Sequence, residues 1–184
     1  MGAKLEAVAA LTPGPAEYLN LVLRSSREQF AEAFPHYFLV GTPTFNDPEW
    51  SQRTDVVDFT STNQEKTTAK QERVEGVGIP MVLPLRKVQA EYPSMITVGR
   101  AVNCDVVIRD PQMSKFHAFF RLRSDHILLC DAGSTNGTFL ASERLPPKGP
   151  ARMVVPGDVI GFGQLDFTLL DPGECWERLH TRSH

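Results

Sequence analysis

The sequence has no apolar run approaching the ~20 residues that a membrane-spanning helix requires. A charged start followed by an apolar stretch is also missing, so no signal peptide is expected. Met1-Gly2 opens like a myristoylation signal, but Glu6 stands where serine or threonine is needed. Cysteine is scarce and odd in number: Cys104, Cys130 and Cys175, with no CxxC spacing. That pattern argues against a disulfide framework or a zinc site and predicts buried or idle thiols in a reducing compartment. Basic residues are not in excess. The formal net charge of -3 argues against non-specific binding to nucleic acid, which needs a basic surface. The expectation is a soluble cytoplasmic protein with no membrane or nucleic-acid partner, no cofactor and no metal.

A hydrophobic fraction of 41% is enough for a packed core. The length suits one domain with an extension, or two small domains. Residues 1–80 carry seven basic against eleven acidic side chains, and the remainder carries twelve against eleven, so the C-terminal part is the better home for an anion.

Residues 12–34 read as helical, with Pro13 and Pro15 at the start, where a missing N–H is harmless. Tyr18, Leu19, Val22 and Leu23 then recur at helical spacing. Ser25 or Ser26 is placed to cap a second short helix, with Glu28 or Gln29 closing a capping box, and Pro35 ends it. Residues 36–40 suit a strand, broken by Gly41-Thr42-Pro43. From 47 to 78 the chain turns polar, as a linker does. Its Thr60, Thr62, Thr67 and Thr68 also qualify as kinase targets that this same chain would bind.

After residue 79 the texture changes to short strands separated by turn residues. The candidates are 82–88, 96–99, 106–108, 118–123, 127–131, 138–140, 152–155, 159–162 and 166–170. Ala118, Phe120 and Leu122 alternate with Phe119, Arg121 and Arg123, as a half-buried strand requires. Many short strands at close spacing predict a mainly β fold, a sandwich of short, largely antiparallel strands preceded by a partly helical N-terminal region. Residues 174–179 suit a short closing helix. The organisation expected is therefore an N-terminal helical region at 1–46, a polar linker at 47–78, a β domain at 79–172, and a C-terminal helix and tail at 173–184.

Loops gather at the ends of a sandwich, and binding groups are usually mounted there. Three loops carry suggestive side chains: Arg100 after a strand, the stretch Met113-Ser114-Lys115-Phe116-His117, and Gly133-Ser134-Thr135-Asn136-Gly137-Thr138. A guanidinium, an ammonium, hydroxyls and an amide together suit a phosphate monoester, which carries about -1.5 to -2 charges and three acceptor oxygens. Asn136, with both a donor and an acceptor, suits a peptide backbone better than a charge.

In order, Gly99-Arg100, Ser114-Lys115-Phe116-His117 and Asn136-Gly137 resemble the signature of the forkhead-associated (FHA) family: Gly-Arg, Ser-x-x-His, Asn-Gly. Asp105-Val106-Val107-Ile108, the stretch from Asp131 to Thr138, and Gly157-Asp158-Val159-Ile160 are similar to further family motifs. The resemblance spans roughly 81–170. It implies an FHA-like β-sandwich that binds a phosphothreonine-containing protein, acting as a signalling adaptor downstream of a Ser/Thr protein kinase, with that kinase or its substrate as partner. Residue by residue it implies phosphate contacts from Arg100, Ser114, Lys115 and Thr135, a peptide-backbone contact from Asn136, and structural roles for Gly99, His117 and Gly137. Two positions depart from the family pattern: Lys115 stands where arginine is frequent, and Ala141-Ser142 replaces a second Asn-Gly.

The alternative is a scaffold that keeps the fold and binds partners without phosphate. An enzyme is not expected. His36 with Asp47, Glu49, Asp55 and Asp58 lacks ligand spacing such as HExxH, and residues 157–163 lack the Gly-Lys-Ser/Thr ending of a nucleotide loop.

Overall fold

The computed structural model describes residues 15–41 and 80–181. Thr60, Thr62, Thr67, Thr68 and the four acids paired above with His36 lie outside these. Two helices come first, α1 (Pro15–Arg24) and α2 (Arg27–Ala33). Ser26 caps α2: its hydroxyl accepts from the Gln29 amide while the Gln29 side chain accepts from the Ser26 amide, one of the boxes expected from the sequence.

The strands are β1 (Phe38–Gly41), β2 (Met81–Pro84), β3 (Ile96–Gly99), β4 (Val106–Val107), β5 (Ala118–Leu122), β6 (Ile127–Asp131), β7 (Thr138–Leu140), β8 (Glu143–Arg144), β9 (Arg152–Val154), β10 (Val159–Phe162) and β11 (Leu165–Leu170), followed by helix α3 (Pro172–Thr181). They form a sandwich of two sheets. One runs β2-β1-β11-β10-β7-β8 and the other β4-β3-β5-β6-β9, with every pair antiparallel except β3–β4. The fold is mainly β, as the spacing of strands and turns predicts.

Strand β1 explains why the N-terminal region belongs to the sandwich. Phe38-Leu39-Val40 are adjacent and all buried, so both faces of this strand are covered. Leu39 joins Ile160, Phe162, Phe167, Leu129 and Phe120 between the sheets. Phe38 and Val40 face the other way, with Val82 and Leu170, into a second core built from Tyr18, Val22, Phe30, Phe34, Cys175 and Leu179 of the helices. Trp176 of α3 donates its indole N–H to the Ser25 carbonyl at 3.1 Å, tying the C-terminal helix to the α1–α2 junction.

Gly41 pairs with Met81 and with Phe167. The six-stranded sheet therefore crosses the boundary that composition places at 79, because residues on either side of the polar stretch are neighbours in one ladder. The ring of His36 packs against Phe34 and Phe38. Burial, aided by the charge of Arg86, lowers its pKa to about 4.

Asp105 fixes the entry to the second sheet. Its side chain is fully buried and accepts from the Lys87 ammonium (2.9 Å), the amides of Val88, Gln89 and Thr97, and the Thr97 hydroxyl. Burial alone would raise its pKa, but Lys87 and the backbone amides outweigh that and hold the carboxyl at about 2.

Candidate functional site

All three loops singled out in the sequence hang from the five-stranded sheet: one leaves β3, one enters β5, and one leaves β6. Backbone hydrogen bonds splice the first two together. Arg100 and Ala101 amides donate to the carbonyls of Ser114 (2.9 Å) and Lys115 (3.1 Å). This close approach requires glycine at 99, since a Cβ there would stand 2.3 Å from the Lys115 carbonyl oxygen.

His117 joins the second loop to the third. It is fully buried, accepts the Ser114 amide on Nδ1 at 3.1 Å, and therefore carries its proton on Nε2, which lies 3.1 Å from the Gly137 carbonyl. Burial pushes the imidazole below its ordinary pKa, against the opposing pull of that carbonyl, so the ring is a neutral brace. The third loop turns on the Asp131 carboxylate. It accepts from the hydroxyls of Ser134 (2.6 Å) and Thr138 (2.8 Å) and from the amides of Gly133 and Ser134. These bonds outweigh the effect of burial and keep its pKa low. Gly137 then takes a φ of +87°, a left-handed conformation natural to glycine.

On this frame, Arg100, Ser114, Lys115, Thr135 and Asn136 come together around one cleft of about 430 Å³, joined by Gln112 and Phe116. The Arg100 Nε donates to the Met113 carbonyl at 3.2 Å, and its terminal nitrogens make no hydrogen bond among the described residues. Lys115 is exposed, and its ammonium has no partner among them. Ser114 Oγ accepts the Thr135 amide at 3.0 Å and makes a long 3.4 Å bond to the Thr135 hydroxyl. Asn136 donates from Nδ2 to the Gln112 carbonyl at 2.8 Å, which leaves its Oδ1 without a partner among the described residues. The cleft is thus cationic, rich in donors and open, with nothing resembling a nucleophile–base pair. Among the described residues no cluster of His, Cys, Asp or Glu is arranged to hold a metal.

Gln112 was not legible as a site residue. Nothing in its sequence context separates it from any other polar loop residue, and only the turn set by Asp110, whose carboxylate accepts the Gln112 amide at 2.8 Å, brings it to the cleft. The three thiols are free and buried. No helix among the described residues is long and apolar enough to cross a membrane.

Residues 96–163 match the family model of the FHA domain. Kanadaptin of Homo sapiens is 37% identical over 76 residues, which is 35% of this chain and 10% of that protein. The DNA damage response protein kinase DUN1 of Saccharomyces cerevisiae is 34% identical over 87 residues, 43% of this chain and 16% of that protein. The chain thus spans only a small part of the curated relatives it matches. Among solved structures, the FHA domain of an Arabidopsis thaliana protein is similar at 30% identity and a TM-score of 0.41, covering 49% of this chain and 73% of that one.

Proposed function

We propose that this chain, which carries an FHA domain over residues 96–163, is a phosphothreonine-dependent binding module and serves as a signalling adaptor downstream of a Ser/Thr kinase. One observation carries the reading: five side chains suited to a phosphopeptide, drawn from three separate loops, line a single cleft. Arg100 supplies a guanidinium fork and Lys115 a point charge. The Ser114 and Thr135 hydroxyls complete the donor set, since their mutual bond is long enough to be exchanged for phosphate oxygens. Asn136, with a free carbonyl oxygen, holds the backbone of the bound segment. Preference for threonine over serine follows from an apolar contact with its methyl, worth ~1 kcal/mol. The kinase among the relatives supports a place in phosphorylation signalling.

The test is a degenerate phosphothreonine peptide library, and its unphosphorylated counterpart, titrated by fluorescence polarisation against the full chain. The full chain is the right reagent because β1 lies inside the sheet. Phosphorylated peptides are expected to bind and plain ones not, and Arg100→Ala to cost about 2–5 kcal/mol of affinity. Equal binding of both libraries would favour the phosphate-independent scaffold instead.

A further inference from the structure

An antiparallel sheet with one face in water alternates apolar and polar residues along each strand. The five-stranded sheet keeps the apolar half of that rule: Ile96, Val98, Ala118, Phe120, Ile127 and Leu129 belong to the core between the sheets. Its other face breaks the polar half. Across β3, β5 and β6 the outward residues in register are Thr97, Phe119 and Cys130, and across β5, β6 and β9 they are Arg121, Leu128 and Met153. At one end the Phe119 ring continues into a stack with Phe116 and Tyr92, at centroid spacings of 6.1 and 6.3 Å. Tyr92 is 55% exposed and Met153 60%, so both ends of the strip lie open. Among the described residues no helix covers it, since α1, α2 and α3 pack on β1, β2 and β11. Contiguous apolar surface left open in this way marks an interaction site.

We infer that this face docks an amphipathic helix of the phosphorylated partner, with an acidic residue at the edge of the helix's apolar side; this rests on the reading of the cleft given above. Three features select that occupant. Phe116 lines the cleft and also belongs to the stack, so the strip begins where the phosphothreonine is held. A second contact by the same partner is then intramolecular and strengthens the whole complex. Next, Arg121 lies over Phe119 at 5.2 Å and has no hydrogen-bonding or ionic partner among the described residues. Exposed Arg123 follows two positions on, and a carboxylate matches both. Finally, β3 to β9 spans four strands, roughly 14 Å at ordinary spacing, which accommodates one helix of about 10–12 Å and not two. The opposite sheet is covered in the same manner, by helices of this chain.

The experiment uses the full chain and a phosphothreonine peptide taken from the library above, alone or joined by a Gly-Ser linker to a library of helices. Each helix carries leucine at i, i+3, i+4 and i+7, with one glutamate moved through the positions that border them. Control helices carry glutamine for leucine, or lysine for glutamate. The best fusion is expected to bind about tenfold tighter than the bare phosphopeptide, as burial of one or two leucines allows. M153E should abolish the gain, and R121E should transfer it to the lysine-bearing helix. Both variants should bind the bare phosphopeptide as wild type does. The Met153 methyl signal in NMR spectra should shift with the fusion and not with the bare phosphopeptide. Equal binding of fusion and bare peptide, or a gain that M153E leaves intact, overturns the inference. The phosphothreonine reading then still stands on binding of the bare peptide and its loss in R100A. Sedimentation of wild type as a dimer and of M153E as a monomer would assign the face to a second copy, and also overturns the inference. Failure of every phosphorylated peptide to bind overturns both readings.

Discussion

The six-stranded sheet has its outer face covered by α1, α2 and α3 through Phe38, Val40, Val82 and Leu170. On the five-stranded sheet, Met153 is 60% exposed, Tyr92 stacks on the exposed Phe116, and Phe116 on Phe119, over which Arg121 lies at 5.2 Å. The loops of the candidate site all hang from this second sheet. Reinforcement and recognition are thus divided between the layers. The covered sheet is stabilised by apolar burial, whereas the sheet that carries the cleft depends on polar braces: Asp105, His117 and Asp131. Damage to one layer should register in stability and damage to the rim of the other in binding.

The sharpest way to break this division is Phe38→Ala. Phe38 is fully buried among Tyr18, Phe30 and Phe34, so its removal is expected to cost about 3–5 kcal/mol in urea unfolding. The fraction that stays folded should bind phosphothreonine peptide as wild type does, and a parallel loss of affinity would show that the helices support the cleft.

Asp105→Asn comes next, at about 3 kcal/mol, because it strips a buried carboxylate from Lys87 and three amides. Here pH sharpens the comparison. The folded-state pKa of Asp105 lies near 2, below its ordinary value. Its contribution is therefore complete above the unfolded pKa of ~3.9 and is lost as pH falls toward 2. Wild type should lose more stability than the variant between pH 4 and pH 2, and parallel curves would remove Asp105 from the account.

The smallest effect is expected at the rim. Ser114→Ala removes one hydroxyl and should weaken phosphopeptide binding by about 1 kcal/mol, with stability changed by no more than about 0.5 kcal/mol. Calorimetric titration and thermal melting of the same sample separate the two.

Much of the sandwich was legible because strand and turn chemistry alternate along the chain. The strands at 96–99, 127–131, 138–140 and 159–162 occur where their alternation and flanking turns place them. The expected strand 82–88 is cut short after Pro84. Leu85 is still buried, and its amide donates to Tyr37, but beyond it the Val88 and Gln89 amides are drawn to Asp105. That is a long-range contact which no local pattern contains. Strand β8 carries only the exposed Glu143 and Arg144, with no apolar signal; its pairing follows from the left-handed turn at Ala141-Ser142, with φ of 47° and 70°. The cap over the six-stranded sheet was illegible for a similar reason, since Trp176 meets Ser25 across 151 positions of sequence. At the cleft, the ordered motifs named Arg100, Ser114, Lys115, Thr135 and Asn136, while Gln112 carries no pattern and acquires a place only through the fold.

The pairing of Gly41 with Met81 joins two stretches of chain that are far apart in sequence. A chain severed anywhere between those two residues would yield two pieces that interleave in one ladder, the shorter one wedged between β2 and β11. Neither piece alone can close the sheet, so the integrity of this molecule is decided by adjacency in space and not by continuity of its covalent thread.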